Sequence, residues 1–74
     1  MDEIIIGKPE FVKELEKVFL IGQPHFEGLE YSDERENGEF VIAKCKNGAK
    51  YKVDVTGDSL PAIVYDVYSE LRGK

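Results

Sequence analysis

The stretch FVIAKCKNGAKYKVDV, residues 40–55, decides the fold, because it predicts two antiparallel strands joined by a tight turn. Polar and apolar residues alternate over residues 50–56, which is typical of a strand with one buried face. Asn47-Gly48 is the strongest short signal for a two-residue hairpin turn. The apolar members of the alternation are Tyr51, Val53 and Val55.

A two-residue turn at Asn47-Gly48 also predicts the register of the two strands. It sets Val53 opposite Ile42 and Val55 opposite Phe40, and opposed residues of an antiparallel pair share a face. The predicted core face therefore contains Phe40, Ile42, Tyr51, Val53 and Val55. The far face of the sheet then contains Phe26, Val41, Ala43 and Cys45.

A third strand is predicted before residue 33. A two-residue turn at Asn37-Gly38 would set Arg35 opposite Phe40 and bury a charge, which is costly. A longer loop over residues 33–38 instead sets Tyr31 opposite Phe40 and keeps the core face apolar. We therefore expect a three-stranded antiparallel meander.

Two amphipathic helices flank the meander. Apolar residues at three-to-four spacing predict the first helix over about residues 9–21. Its apolar stripe is Phe11, Val12, Leu15, Val18 and Phe19. The second helix follows Asp58 or Ser59, either of which is a suitable cap. Its apolar stripe is Leu60, Ile63, Val64, Val67, Tyr68 and Leu71. With a short strand at residues 2–6, the prediction is one α+β domain over residues 1–74, ordered β-α-β-β-β-α, with both helices on one face of the sheet.

The α-β-β-β-α order over residues 9–72 resembles the topology of double-stranded RNA-binding domains. The resemblance lies in the order and length of the elements. In that family a lysine cluster at the start of the second helix contacts phosphates. Here the corresponding residues, Asp58-Ser59-Leu60-Pro61-Ala62, include an acid and no base. The family's function is therefore not expected to carry over.

Length and composition exclude several classes of protein. The 74 residues have room for one core, and 42% are apolar and 34% charged, a globular balance. The apolar runs are far shorter than the roughly 20 residues of a membrane span. The acidic start Met1-Asp2-Glu3 differs from a secretory signal. Cys45 is the only cysteine, so no internal disulfide forms, and we expect a cytoplasmic protein.

Few residues are available for catalysis. His25 and Cys45 are the only histidine and the only thiol. The predicted register puts them on opposite faces of the sheet, whereas a catalytic dyad needs hydrogen-bond contact. No His-rich, Cys-rich or EF-hand-like spacing is present, and the acids Asp33, Glu34 and Glu36 are more typical of a solvated loop than of a weak cation site. We therefore expect a protein that is not an enzyme and has no cofactor or metal.

The leading functional prediction is protein binding, first of all self-association into a homodimer. The predicted far face exposes Phe26, Val41, Ala43 and Cys45, and an uncovered apolar patch often marks a partner site. The run Ile4, Ile5 and Ile6 is apolar at every position, so it is the second candidate interface, by strand addition to another chain.

Charge patterning supports two alternative functions. The hairpin carries Lys44, Lys46, Lys50 and Lys52, which suit phosphate contacts, with Tyr51 as a stacking ring. A net charge of −5 opposes general nucleic-acid affinity. The acidic loop with Glu34 and Glu36 gives the second alternative, an inhibitor that occupies the basic groove of another protein.

Overall fold

Two helices and a three-stranded antiparallel sheet confirm the predicted α+β class. The computed structural model describes residues 7–72 and Lys74. The elements are α1 (Lys8–Gly22), β1 (Phe26–Asp33), a 3-10 turn (Arg35–Asn37), β2 (Glu39–Cys45), β3 (Lys50–Asp54) and α2 (Leu60–Leu71). The sheet order is β1-β2-β3. The predicted first strand, with Ile4, Ile5 and Ile6, lies outside the described residues.

The two helices begin where the sequence predicts. Pro9 lies in the first turn of α1, where its missing N–H costs no hydrogen bond. Ser59 is the N-cap of α2, and its hydroxyl accepts from the Ala62 backbone N–H at 3.4 Å. The residues that both helices bury against the sheet are Val12, Leu15, Phe19, Ile63, Val67 and Leu71.

The predicted register of β2 is wrong by one residue against both neighbouring strands. Val41 lies opposite Val53 and also opposite Tyr31, whereas the prediction put Phe40 opposite Tyr31. The hairpin loop has three residues, Lys46 to Gly48, instead of two. Gly48 has φ +92°, a conformation that glycine adopts without steric cost and that three-residue hairpin loops require.

A one-residue slip moves every side chain of a strand to the other face. Val41, Ala43 and Cys45, predicted to be on the exposed far face, are therefore buried in the core. Phe40 and Ile42, predicted to be core residues, lie half-buried on the outer face of the sheet.

Phe26 also changes face, for a separate reason. The register of β1 shifts between Phe26 and Gly28, so Glu27 forms a β-bulge. A bulge inserts one residue and re-aims the side chains beyond it. Phe26 is consequently buried, with its ring 5.1 Å from that of Phe19 in α1. Of the predicted interface residues that the structure describes, none remains exposed.

Glu39, at the start of β2, joins both helices to the sheet. Lys8 Nζ of α1 donates to its two carboxylate oxygens at 2.9 and 3.1 Å. The Tyr31 hydroxyl also donates to this carboxylate, as does the Gly57 backbone N–H at 2.9 Å, in the turn before α2. These donors, with Tyr31 first, lower the pKa of Glu39 to about 2. Burial and the Glu39 contact raise the pKa of Tyr31 to about 12.

Candidate functional site

Four large apolar side chains are exposed in the described part of the chain, and all four lie on the helices. Val18 and Ile21 belong to α1 and are 62% and 84% exposed. Tyr65 and Tyr68 belong to α2 and are 72% and 37% exposed. We call these four residues the helix patch.

One aromatic contact joins the two helices close in sequence to the four residues of the helix patch. The Tyr68 ring lies edge-on to Phe19 of α1, with 5.4 Å between the ring centroids. Val18 and Ile21 are within two residues of Phe19, and Tyr65 is three residues before Tyr68. Along the helix axes all four positions are within about one helical turn of this contact, and Ile21 and Tyr65 point away from the buried Phe19 and Val67 because they are two residues from them.

The outer face of the sheet, away from the helices, is the face on which the sequence predicts a partner interface. Its side chains contact one another. Lys52 Nζ lies 4.2 Å from the centroid of the Phe40 ring and 2.9 Å from a Glu34 carboxylate oxygen. Lys44 Nζ lies 3.5 Å from a carboxylate oxygen of Glu30 on the neighbouring strand. This face therefore presents paired charges over half-buried apolar groups.

The four hairpin lysines of the nucleic-acid alternative are split between two surfaces. Lys44, Lys50 and Lys52 lie on the outer face of the sheet, because they share its register with Ile42. Lys46 lies in the hairpin loop, beside His25. Since Lys44 and Lys52 contact carboxylates, the hairpin does not form one continuous basic strip.

The acidic loop is only partly available to a basic partner. Glu34 pairs with Lys52, and its side chain is 30% exposed. Glu36 and Asp33 are exposed, and the Asp33 carboxylate accepts from the Arg35 backbone N–H at 3.0 Å. The inhibitor alternative therefore loses one of the two glutamates on which it depends.

The open edge of β1 is partly blocked by α1. The Glu16 carboxylate accepts from the Leu29 backbone N–H at 2.8 Å. This N–H points away from β2 and would otherwise be available to an added strand. Strand addition at this edge would have to displace Glu16.

A cleft beside the hairpin loop brings His25 and Cys45 together, contrary to the prediction that they lie on opposite faces. The cleft has a volume of about 360 Å³, and we call it the hairpin cleft. Its lining residues are His25, Cys45, Lys46, Asn47, Tyr51 and Lys74. No hydrogen bond joins the His25 and Cys45 side chains in the described residues, so a nucleophilic dyad is not formed.

Two acids meet at the start of α2. The contact with Asp66, the burial of Asp58 and repulsion by Asp66 raise the pKa of Asp58 to about 6. A carboxyl group beside a second carboxylate ionises less readily, because the two negative charges repel each other. In the described part of the chain no group donates to the buried Oδ2 of Asp58, so a charge there has no partner.

The described residues contain no group of three or more His, Cys, Asp or Glu side chains arranged to bind a metal ion. Neither described helix combines the length and apolar content that crossing a membrane requires.

Comparison of the chain with models of known protein families, with curated proteins and with solved structures finds no match. The fold and the surfaces described above therefore carry the functional argument alone. They define an α+β domain with one apolar surface on its helices and one small basic cleft at its hairpin.

The sequence contained a signal for the helix patch but none for the hairpin cleft. Ile21 and Tyr65 lie off the apolar stripes of their helices, and an apolar residue outside a stripe has no core position to occupy. Val18 and Tyr68 were assigned to the stripes, but each lies at the stripe's edge and stays exposed. The cleft depends on the three-residue hairpin loop and could not be derived from the two-residue turn that the sequence predicts.

Proposed function

We propose that the chain is a small non-catalytic protein-interaction domain that pairs with a second copy of itself through the helix patch. The observation that carries the proposal is the exposure of Ile21 and Tyr65, at 84% and 72%, beside the Phe19–Tyr68 contact. Tyrosine is enriched in protein interfaces, since it offers a rigid apolar ring with a polar end. Ile21 gains from burial because no residue that the structure describes covers it.

A second copy is the occupant that the charges around the patch favour. A two-fold dimer places the same surface on both sides of the contact, so a strongly charged surface would repel itself. Beside the patch, Glu14 and Lys17 of α1 form an ion pair at 3.3 Å. On α2 the exposed polar residues nearby are Ser69, Glu70 and Arg72, of which one is an acid and one a base. This rim is close to neutral, although the whole chain has a charge of −5.

The outer sheet face supports self-association less well than the helix patch. Its apolar groups are half-buried and partly covered by Lys52, so burying them releases less apolar surface from water. Its ion pairs would also lose water on docking, a cost that their attraction only partly offsets. The nucleic-acid alternative is weakened by the same pairs, because they neutralise two of its lysines.

Matched variants on the two faces test the proposal. Sedimentation velocity should show a concentration-dependent monomer–dimer equilibrium for the wild-type protein. Ile21→Glu should weaken dimerisation at least about tenfold, since it puts a charge at the centre of the contact. Ile42→Glu is the same exchange on the outer sheet face, and it should change dimerisation by no more than about twofold. Circular dichroism would confirm that both variants fold.

Three outcomes would overturn the proposal. A monomer at every concentration up to the millimolar range would exclude self-association and leave the helix patch to a different protein. Loss of the dimer in Ile42→Glu with retention in Ile21→Glu would move the interface to the sheet. Equal dimerisation in all three proteins would exclude both surfaces.

A further inference from the structure

We infer that the hairpin cleft binds a small aromatic phosphate, the chemistry of a mononucleotide. This inference concerns a surface separate from the helix patch and does not depend on self-association. The cleft's volume of about 360 Å³ falls within the range of small-molecule sites, which begin at about 300 Å³.

Backbone hydrogen bonds hold the two sides of the cleft in place. The Lys46 N–H donates to the His25 carbonyl at 3.0 Å, which ties the segment after α1 to the hairpin loop. Within the loop, the Cys45 N–H donates to the Ala49 carbonyl at 2.8 Å. The Asn47 Oδ1 accepts from the Ala49 N–H at 3.0 Å, so the Asn47 amide nitrogen remains as a donor at the cleft. The site is thus formed before a ligand arrives.

The interior of the cleft presents flat apolar surfaces. Tyr51 is half-buried, and its ring lies edge-on to the buried Phe26 ring at 6.3 Å between centroids. His25 packs against the same Phe26 ring at 4.4 Å. The Cys45 thiol is buried beside them. Base rings stack on aromatic side chains of this kind, with a gain of about 1–3 kcal/mol per base in nucleic-acid complexes.

The rim of the cleft is cationic and has no acid. Lys74 Nζ lies 5.5 Å from the centroid of the Tyr51 ring, and Lys46 lies on the adjoining loop. In the described residues neither lysine forms an ion pair, in contrast to Lys44 and Lys52 on the outer sheet face. Two unpaired ammonium groups beside an aromatic floor suit a phosphate attached to a ring system.

Titration with adenosine 5′-monophosphate, followed by amide chemical shifts, tests the inference. We expect saturable shifts centred on His25, Lys46 and Tyr51. Adenosine and inorganic phosphate should each bind at least about tenfold more weakly than the nucleotide, because each supplies only one of the two contacts.

Variants separate this site from the other lysines. Lys46→Ala and Lys74→Ala should each weaken nucleotide binding about tenfold, the value of a charge-assisted contact. Tyr51→Leu should weaken binding of the nucleotide and leave that of inorganic phosphate unchanged.

Lys50→Ala is the matched control, because Lys50 lies on the outer sheet face and forms no ion pair with a described residue. It should leave affinity unchanged within about twofold. Ile21→Glu should bind the nucleotide as the wild-type protein does.

The inference fails if the nucleotide produces no saturable shifts at millimolar concentration, or if Lys50→Ala weakens binding as much as Lys46→Ala. A 5′-phosphorylated oligonucleotide supplies the same chemical group from a different source. We expect it to bind no more tightly than the mononucleotide, because two of the three outer-face lysines, Lys44 and Lys52, pair with carboxylates. Tighter binding that is lost in Lys50→Ala would overturn the inference in favour of a nucleic-acid surface along the sheet.

Discussion

On the outside of the helices Ile21 and Tyr65 extend into solvent, whereas on the outside of the sheet the Phe40 ring is covered by the Lys52 ammonium, 4.2 Å from its centroid. The two faces differ because of their geometry. Directly opposed side chains in a sheet have Cβ atoms about 4.5–5.5 Å apart, so charged residues there reach their partners and cover apolar neighbours. The two helices meet through few side chains, and no described residue covers Ile21 or Tyr65.

An apolar residue outside the core does not by itself define an interface. Both faces contain apolar residues outside the core, but among the described residues it is the helix patch whose apolar side chains are exposed. The sheet face has ion pairs between β1 and β2 and between β3 and the loop after β1. Such pairs at exposed sites contribute little to stability, about 0–1 kcal/mol each, yet they lose water when a partner docks. Partner binding is therefore favoured at the helices.

The largest effect is expected from charging adjacent residues of β2. Val41 is fully buried, and Val41→Glu should cost about 4 kcal/mol or more, comparable with the whole stability of a small domain. Ile42→Glu changes the next residue and should leave the protein folded, since Ile42 faces the lysines of the outer sheet face. Thermal unfolding followed by circular dichroism measures both. A folded Val41→Glu protein would contradict the observed register, because Val41 would then lie on the outer face of β2.

A smaller effect is expected at Glu39, which ties the helix layer to the sheet. Its pKa is lowered from 4.5 to about 2, so its stabilising contribution is present above pH 4.5 and is lost as the pH falls towards 2. Glu39→Gln should lower the melting temperature at pH 7, and the variant and wild type should converge near pH 2. Glu36→Gln, the same exchange at an exposed position, should have no such effect. An equal loss at both pH values would show that the charge of Glu39 is not involved.

The Tyr31 hydroxyl allows a second test of the same contact, at alkaline pH. Its pKa is raised from 10.0 to about 12, so its contribution is present below pH 10 and is lost as the pH rises through about 12. In Glu39→Gln the phenol should ionise closer to pH 10, as measured by its ultraviolet absorbance. An unchanged titration would contradict the Tyr31–Glu39 contact.

The smallest effect is expected at Asp58, at the base of α2. Its raised pKa means that its contribution is fully present below pH 3.8 and is lost as the pH rises through about 6. Asp58→Asn removes the charge that has no partner, so it should stabilise the protein at pH 7.5 and have little effect at pH 4. Glu70→Gln, at an exposed position on α2, is the control. A gain of the same size at both pH values would contradict the raised pKa of Asp58.

The helices, β1 and β3 could be predicted from the sequence because their apolar periods are unambiguous. Tyr51, Val53 and Val55 alternate strictly with polar residues and lie on the core side, as expected. Capping by Ser59 and the first-turn positions of the two prolines also follow from local chemistry. These elements form the same two layers that the sequence predicts.

The face of β2 could not be predicted, because both of its faces are apolar. One face of the strand carries Phe40 and Ile42, and the other carries Val41, Ala43 and Cys45. The decision depended on the turn, and Asn47-Gly48 suits a three-residue loop as well as a two-residue one. One residue of loop length therefore moved the predicted interface into the core. The bulge at Glu27 had the same effect on Phe26, with no composition signal to reveal it.

Intermolecular nuclear Overhauser effects in a mixture of labelled and unlabelled chains test the central claim most directly. The account predicts contacts between the methyl groups of Val18 and Ile21 in one chain and the rings of Tyr65 and Tyr68 in the other. Contacts that arise instead from Ile42 on the outer sheet face, or a concentrated sample that shows no intermolecular contacts at all, would contradict it.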